Sequence, residues 1–283
     1  MNSLVTVTPF LRWAGSKRQI LTTLSTHWSI KFKRYLEPFL GSGSLFFYLQ
    51  PKCAILGDIN PELIATYKQV RDNLLEVLLE LSTMHKGKNE YYKIRSIDSN
   101  SLPPPQRAAR FIYLNRYSFN GLYRTNQNGD FNVPYGGEKS GNIPRKESLE
   151  ACCNALQTAQ LISGDFELVL SQARAGDFVY LDPPYNVKAH RVFNEYNPSN
   201  FGAHDLQRLR WWLDKLTKIG VEFLVSYAQF EEAEFLMKGY TAKEITVRRN
   251  IAGFSGNRRK AGEWLITNKE ILASREDFYV QKK

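Results

Sequence analysis

Short apolar runs recur in two separated blocks of the chain, and each run has the length of a buried β-strand. Two runs lie near the N-terminus and five in the second half: Tyr35 to Glu37, Cys53 to Leu56, Gln160 to Ser163, Phe178 to Leu181, Val221 to Tyr227, Glu244 to Val247 and Glu263 to Thr267. Helical periodicity follows the first run, over Ser44 to Leu49, and precedes the Val221 run, over Leu206 to Leu216. This alternation predicts an α/β fold with a mostly parallel sheet covered by helices.

The segment between the two strand blocks, roughly residues 61 to 145, has a different character. It contains helix-like patterns over Glu62 to Ser82 and Gln106 to Phe119, a break at Pro103 to Pro105 between them, and a Gly- and Asn-rich end. A block without strong strand signals that divides a strand-and-helix pattern predicts an inserted, mainly helical lobe. We therefore expect an α/β domain made of residues 1–60 and 146–283, with residues 61–145 as the insertion.

An acid, two prolines and an aromatic residue follow the predicted strand Phe178 to Leu181, as Asp182-Pro183-Pro184-Tyr185. Proline lacks a backbone N–H, so the polar groups at this strand end are acceptors: carbonyls and one carboxylate. Such a site suits an amino group, and Tyr185 offers a face on which a flipped nucleobase could stack. A tight structural turn is the alternative interpretation of the tetrapeptide.

The chain has 283 residues, 43% of them hydrophobic, which is enough for one large core with an inserted lobe. Lys and Arg number 38 against 28 Asp and Glu, a formal charge of +10. This excess favours a polyanionic partner such as nucleic acid, although a merely basic protein would share it.

Three cysteines and four scattered histidines give neither a disulfide framework nor a metal-ligand spacing. We expect no metal. The sequence has no apolar run near the length of a membrane span, and its N-terminus lacks the order of a signal peptide. We therefore expect a cytoplasmic protein with no membrane association.

A glycine-containing loop, Glu37 to Ser44, joins the first predicted strand to a helix. Gly41 and Gly43 would permit a tight turn and close approach of a ligand, as in nucleotide-binding βα loops, though a structural turn is equally consistent. Asp58 follows the second strand, where an acid can accept hydrogen bonds from ribose hydroxyls.

The loop matches neither a P-loop nor GxGxxG, and no Lys or Arg lies between Gly41 and Pro51. With the carboxylates of Glu37 and Asp58 beside it, it suits a cation better than a pyrophosphate. S-adenosylmethionine, which has a ribose and a sulfonium but no phosphate, fits this requirement. Asp165 and Phe166 after the third strand supply one more acid and an aromatic edge for the cofactor adenine, unless they only begin a helix.

Taken together, the ordered motifs of the chain resemble those of the Dam-type DNA adenine N6-methyltransferases over nearly the whole length. The resemblance rests on Phe10 to Lys17, Glu37 to Phe46, Asp58 to Asn60, Asn120 to Arg124, Phe131 to Gly136 and Asp182 to Tyr185. Ser16 departs from the family, in which glycine is usual. The resemblance implies a Rossmann-like S-adenosylmethionine-dependent sheet whose inserted lobe, residues 61–145, recognises the DNA target.

The resemblance also implies roles for individual residues. Catalysis would rest on Asp182, Pro183, Pro184 and Tyr185. Cofactor binding would involve Trp13, Lys17, Glu37, Phe39, Gly41, Gly43, Asp58, Asp165, Phe166 and Asp182. DNA contacts would involve Arg12, Arg116, Phe119, Asn120, Leu122, Arg124 and Pro134. Arginine is the usual bidentate partner of guanine, and the resemblance implies that Arg124 contacts a guanine-containing base pair. Judged without the resemblance, Phe119 is more consistent with a core position than with a DNA contact.

Two further segments are expected to lie against the DNA. A basic cluster, Arg248-Arg249 with Gly256 to Lys260, is expected to contact phosphates, with a solvated hairpin tip as the alternative. Residues 186–200, after the tetrapeptide, suit a flap over the target base, and the segment is shorter than in many relatives.

These patterns predict an enzyme that methylates adenine N6 in duplex DNA with base flipping, at a short site for which GATC is the best guess. We expect a bacterial or phage-encoded monomer, with a cognate restriction endonuclease as partner if it belongs to a restriction-modification system. The alternatives are an N-methyltransferase that acts on RNA adenine or a protein amide, and a non-catalytic DNA-binding relative.

Overall fold

The computed structural model describes residues 7–138, 140–184, 201–229, 232–248 and 260–269. Side chains at positions 232, 247, 248, 260 and 261 are outside the description.

A mixed sheet forms the centre of the described chain, and the seven predicted strands are all present with small changes at their ends. The strands are β1 (Tyr35–Glu37), β2 (Ala54–Asp58), β3 (Ala159–Ser163), β4 (Phe178–Leu181), β5 (Glu222–Ala228), β6 (Thr241–Arg248) and β7 (Lys260–Thr267). They lie in the order β3-β2-β1-β4-β5-β7-β6. The first five are parallel, and β7 runs antiparallel to both β5 and β6. The predicted mostly parallel α/β sheet is confirmed.

Helices cover the sheet on both faces. They are α1 (Leu21–Ser25), α2 (Ser44–Leu49), α3 (Pro61–Asp72), α4 (Leu74–Thr83), α5 (Lys88–Ser96), α6 (Pro104–Tyr117), α7 (Lys146–Leu156), α8 (Glu167–Leu170), α9 (Ala203–Lys218) and α10 (Glu232–Met237). Short 3-10 turns occupy Arg18–Ile20, Ser99–Ser101 and Phe119–Gly121.

Alternate residues of each strand face opposite layers, as a pleated sheet requires. Tyr35 and Leu56 enter the core shared with α3, α6 and α7, whereas Leu36 and Ile55 pack with α8 and α9. Strands buried on both faces lack polar alternation, which explains why they occur in the sequence as continuous apolar runs.

The segment between β2 and β3 runs through α3 to α7 without a named strand in its described residues. Its first helix, α3, packs against β2 and β3 as well as against α6 and α7. The pattern over Glu62 to Ser82 forms two helices instead of one, because Asn73 leaves helical geometry (φ −135°, ψ 43°).

The helix expected over Gln106 to Phe119 begins and ends two residues earlier than its pattern. Pro104 occupies the first turn of α6, where the missing N–H of proline costs nothing. The helix ends before Asn120, which adopts left-handed geometry (φ 55°) inside the turn Phe119–Gly121.

The order of the strands indicates where in the sheet a ligand site is expected. From β1 the chain first adds β2 and β3 on one side and then crosses to add β4 on the other. The gap between the carboxyl ends of β1 and β4 is therefore the topological switch point, where open α/β sheets bind their ligands.

Candidate active site

Three acids lie at the carboxyl ends of neighbouring strands. Glu37 ends β1, Asp58 ends β2, and Asp182 directly follows β4. Because these parallel strands are adjacent in the sheet, their carboxyl ends meet at one edge. The fold thus brings together acids that are far apart in the sequence.

The Asp182 carboxylate is held by a buried network. Its Oδ1 lies 2.9 Å from Lys17 Nζ and accepts a 3.3 Å hydrogen bond from Ser226 Oγ. Ser226 in turn lies 2.9 Å from the hydroxyl of Tyr180. Lys17 Nζ also lies 2.8 Å from Oε1 of Glu263, whose side chain is almost fully buried.

Burial is the largest influence on Asp182 and raises the pKa of its carboxyl group. The positive charge of Lys17 opposes that rise, and the negative charge of Glu263 adds to it. Since Lys17 is shared between two acids, it neutralises only part of their combined charge.

Glu37 lies beneath the same edge and is buried in the core. Burial raises the pKa of its carboxyl group well above the usual range, while a 2.9 Å hydrogen bond donated by Tyr35 to Oε2 opposes the rise. The nearby charges of Asp182 and Asp58 raise the Glu37 pKa further. A cation at this edge would relieve the repulsion among the three acids.

The glycine loop closes over Asp58. Asp58 accepts hydrogen bonds from the backbone N–H of Gly41 (2.9 Å, to Oδ2) and of Asn60 (3.0 Å, to Oδ1). Burial raises the pKa of the Asp58 carboxyl group, and these two bonds oppose the rise. Each carboxylate oxygen can accept two bonds, so Asp58 keeps acceptor capacity for ligand hydroxyls.

Gly41 and Gly43 both have positive φ, 48° and 61°, a geometry that favours glycine. At Gly41 a side chain is also excluded by contact, since an added Cβ would lie 2.7 Å from Cδ1 of Trp13. The Trp13 indole therefore rests directly on this loop.

The two predicted residues after β3 are tied to neighbouring helices. The Phe166 ring stacks on Phe39 with centroids 5.4 Å apart. Asp165 forms a 2.6 Å ion pair with Arg208 of α9, whose guanidinium also lies 4.8 Å above the Phe166 ring. Arg208 contacts Glu167 and Asp205 as well, at 3.1 and 2.8 Å.

The chemistry of this edge fits a cationic ligand with a ribose. Glu37, Asp58 and Asp182 supply carboxylates, and Lys17, the basic side chain seen among them, is already paired with acids. Phe39 and Phe166 add a stacked aromatic wall beside them. In the described part of the chain, no group of three or more His, Cys, Asp or Glu is arranged to hold a metal ion.

Comparison with known proteins shows the family to which the chain belongs. A family model described as D12 class N6 adenine-specific DNA methyltransferase matches residues 13–251. The chain belongs to that family. It is therefore an adenine-specific DNA methyltransferase, its substrate is DNA, and its methyl donor is of the S-adenosylmethionine type common to such enzymes.

Several curated relatives match this methyltransferase over almost their whole length. A Type II methyltransferase of Lactococcus lactis subsp. cremoris, M1.LlaDCHI, is 38% identical, with 93% of this chain and 96% of the relative covered. The Type II methyltransferase M.MjaIII of Methanocaldococcus jannaschii is 35% identical, with coverages of 93% and 99%. The DNA adenine methylase of Escherichia coli K12 is 32% identical, with coverages of 94% and 96%.

The DNA-binding candidates lie mainly on one looped segment of the methyltransferase, residues 118–136, which we call the recognition loop. Antiparallel bridges at Ser118 with Tyr135 and Thr125 with Phe131 give it the form of a hairpin. The exposed Phe119 and Pro134 are joined by a 2.9 Å backbone bond, in which the N–H of Phe119 donates to the Pro134 carbonyl. The partly exposed ring of Phe119 argues against the core position that its sequence alone allowed.

Arg124 is held across this hairpin by Asn132. Arg124 Nε donates a 2.6 Å hydrogen bond to Oδ1 of Asn132, and the Asn132 N–H donates to the Arg124 carbonyl. Next to Arg124, Leu122 is partly exposed, and its carbonyl accepts a bond from the Ser118 hydroxyl.

Arg12 and Arg116 belong to a second group of basic side chains. Burial, followed by repulsion from Arg12 and Arg18, lowers the pKa of Arg116 to about 10. Two other arginines of α6 have structural partners instead: Arg107 pairs with Glu62, and the buried Arg110 donates to backbone carbonyls of α5.

Several predicted positions lie outside the described residues: Tyr185, the segment 186–200, Arg249 and the part of the basic cluster at residues 256–259. In the ranges that are described, no helix is long and apolar enough to cross a membrane.

Four residues near the site were missed by the sequence analysis. Glu263 and Ser226 lie inside apolar strands, Arg208 lies in a helix among other charges, and Tyr123 is one of 15 tyrosines. The one available signal was Glu263, an acid at the start of the last predicted strand. A buried strand seldom holds a charged side chain without a partner, so an acid there indicates a nearby basic residue.

Proposed function

We propose that this methyltransferase binds S-adenosylmethionine across the carboxyl ends of β1, β2 and β4 and methylates adenine at GATC sites in duplex DNA. The cofactor supplies a methyl group on a positively charged sulfur. The observation that carries the proposal is the convergence of Glu37, Asp58 and Asp182 on the switch point, with Lys17 shared between Asp182 and Glu263.

Asp58 is proposed to accept hydrogen bonds from the ribose hydroxyls. Trp13, Gly41 and Gly43 are proposed to form the floor of the cofactor site. The stacked pair Phe39 and Phe166 is suited to the adenine ring of the cofactor, beside Asp165. Glu37, buried and adjacent, supplies a carboxyl group whose ionisation a bound cation would favour. Lys17 orients Asp182 through their ion pair.

Asp182 is proposed to orient the adenine amine. The nitrogen lone pair of an aromatic amine is delocalised into the ring, so the amine is a poor nucleophile. Lys17 and Ser226 both contact Oδ1 of Asp182 and hold its carboxylate, which is proposed to accept one amine hydrogen. The Pro183 carbonyl is proposed to accept the other, and Pro184 and Tyr185 complete the motif, with Tyr185 stacking on the flipped base. This is catalysis by orientation and electrostatics, without a covalent enzyme intermediate.

The recognition loop is proposed to contact the DNA bases, as part of a target-recognition domain spanning residues 61–145. Arg124, held by Asn132, would contact a guanine, with Leu122 and Pro134 beside it. Phe119 and Asn120 are exposed at the base of the loop and are proposed to fill the space around the expelled adenine. Arg12 and Arg116 supply positive charge for the backbone or the far edge of the site.

We further propose that the enzyme works as a monomer in the cytoplasm, and that a cognate restriction endonuclease accompanies it if it belongs to a restriction-modification system. The test is to incubate DNA of known sequence with the protein and labelled S-adenosylmethionine, then map modified adenines by single-molecule sequencing. We expect label at the second position of GATC. Modification at another short site would overturn GATC alone, whereas unmodified DNA would overturn the proposed function.

A further inference from the structure

Trp13 lies between the glycine loop, residues 37–44, and the recognition loop. One edge of its indole contacts Gly41, where an added Cβ would lie 2.7 Å from Cδ1 of Trp13. Its ring also stacks on Tyr123, with centroids 5.8 Å apart and an interplanar angle of 21°. A single side chain thus touches both halves of the proposed site.

Tyr123 is fixed within the recognition loop by other aromatic rings. It packs against Phe111 of α6 at 5.2 Å and against Phe131, across the hairpin, at 5.7 Å. Burial raises the pKa of its hydroxyl to about 12, while a hydrogen bond with Asn60 opposes the rise. In sequence it lies directly before Arg124, which is tied to Asn132.

Arg12, the residue before Trp13, contacts both α6 and the recognition loop. The Asn115 side chain accepts a 2.8 Å bond from the Arg12 N–H and donates a 2.7 Å bond to the Arg12 carbonyl. The Arg12 side chain crosses Gly121, where an added Cβ would lie 2.5 Å from the Cβ of Arg12. The backbone before Trp13 is therefore fixed to α6.

We propose that Tyr123 is a positioning residue that couples cofactor binding to recognition of the DNA target, through its stack on Trp13. This inference rests on the proposed function, which places S-adenosylmethionine at the Gly41 loop and DNA bases at Arg124. A ligand against Gly41 restricts the Trp13 ring, and the restricted ring holds Tyr123 and the segment that continues into Arg124. Part of the ordering needed for DNA binding is then complete before DNA arrives.

Such coupling is reciprocal, so target DNA tightens cofactor binding by the same factor by which cofactor tightens DNA binding. The stack requires a planar ring at position 123 but not its hydroxyl. Tyr123→Phe should therefore keep the coupling, and Tyr123→Leu should lose it. Tyr123→Met also replaces the planar ring with a long flexible side chain, and it is the variant to measure if Tyr123→Leu fails to fold.

The experiment measures the Kd of a fluorescent duplex containing the mapped target site, by anisotropy, with and without saturating sinefungin, an unreactive cofactor analogue with an amine in place of the methyl sulfonium. For the parent enzyme we expect sinefungin to tighten target binding at least about fivefold, within the usual range of coupling between sites. The ratio should stay near that value in Tyr123→Phe and fall below about twofold in Tyr123→Leu or Tyr123→Met.

Tyr135→Leu is the matched control. It removes an aromatic ring from the same loop, but that ring packs against Tyr91 inside the lobe. We expect the coupling ratio of this variant to equal that of the parent. A parent ratio near one, a full ratio in the folded leucine and methionine variants, or an equal loss in Tyr135→Leu would overturn the proposal.

Separate binding of sinefungin without DNA, and of target DNA without sinefungin, tests the proposed function itself. If the parent binds each ligand alone but the position-123 variants keep the ratio, the coupling role fails and the proposed function stands. If the parent does not bind sinefungin, the proposed cofactor site fails first.

Discussion

The buried ammonium of Lys17 and the partly buried carboxylate of Asp182 form an ion pair, with 2.9 Å between Nζ and Oδ1. Lys17 comes from the N-terminal segment and Asp182 from the end of β4, so the pair links two residues that are far apart in the sequence. Ser226 also contacts Oδ1, so two side chains hold the Asp182 carboxylate in place.

Asp182→Ala should reduce methylation of duplex DNA by on the order of a hundredfold or more, because an oriented acceptor is lost from the reacting amine. Asp214→Asn, which disturbs an ion pair with Arg210 on α9, is the control and should leave the rate within about twofold. Initial rates with labelled cofactor measure both. A rate for folded Asp182→Ala within about threefold of the parent would show that the assigned role is wrong.

Glu263→Gln should move the acid limb of the pH profile to lower pH. Burial raises the Asp182 pKa, and the negative charge of Glu263 raises it further. Activity requires the ionised carboxylate, so it falls as pH drops through this raised pKa. Removing the Glu263 charge lowers the pKa, and the enzyme should stay active to a lower pH than the parent.

The measurement is kcat/KM against pH for the parent and for Glu263→Gln. Glu222→Gln, which removes an acid paired with Lys269 at the surface, should leave the profile unchanged. If the acid limb of the pH profile stays in place or moves to higher pH in Glu263→Gln, then Glu263 does not raise the Asp182 pKa as described.

Arg124→Ala should relax sequence specificity. A bidentate arginine contact to guanine accounts for about 1 to 3 kcal/mol of discrimination against the wrong base, and the bond to Asn132 holds Arg124 in place. Competition between target duplexes and duplexes with the guanine replaced measures the change in kcat/KM. Arg145→Ala removes an equal charge before α7 and should affect all sequences alike; undiminished discrimination in Arg124→Ala would remove this residue from base recognition.

Arg208→Met should raise KM for S-adenosylmethionine roughly fivefold, about 1 kcal/mol, with little change in kcat. Arg208 holds Asp165 by an ion pair and lies over Phe166, so its loss frees the wall proposed for the cofactor adenine.

Arg210→Met offers a closely matched comparison on the same helix. Arg210 also pairs with an acid, Asp214, and lies 4.8 Å above an aromatic ring, Tyr240. Both variants should lower Tm, but only Arg208→Met should raise KM. Equal KM values in the two variants would mean that Arg208 contributes stability alone.

Local signals were sufficient for the elements and for part of the site. The strand before Asp182 is a continuous apolar run, and Gly41 and Gly43 in the turn after β1 have the positive φ that glycine favours. By contrast, the single helix expected over Glu62 to Ser82 divides at Asn73, because a break of one residue hardly changes a 3.6-residue pattern.

The sequence by itself determined the α/β class, the seven strands, and the acids, glycines and aromatics from which an adenine methyltransferase site could be predicted. Those features depend on neighbours within a few residues. Only the tertiary structure decided that β1 and β4 are adjacent, and that β7 lies between β5 and β6 with Glu263 beside Lys17 and Asp182. Strand order and the stack of Tyr123 on Trp13 depend on packing between distant segments, which no local pattern specifies.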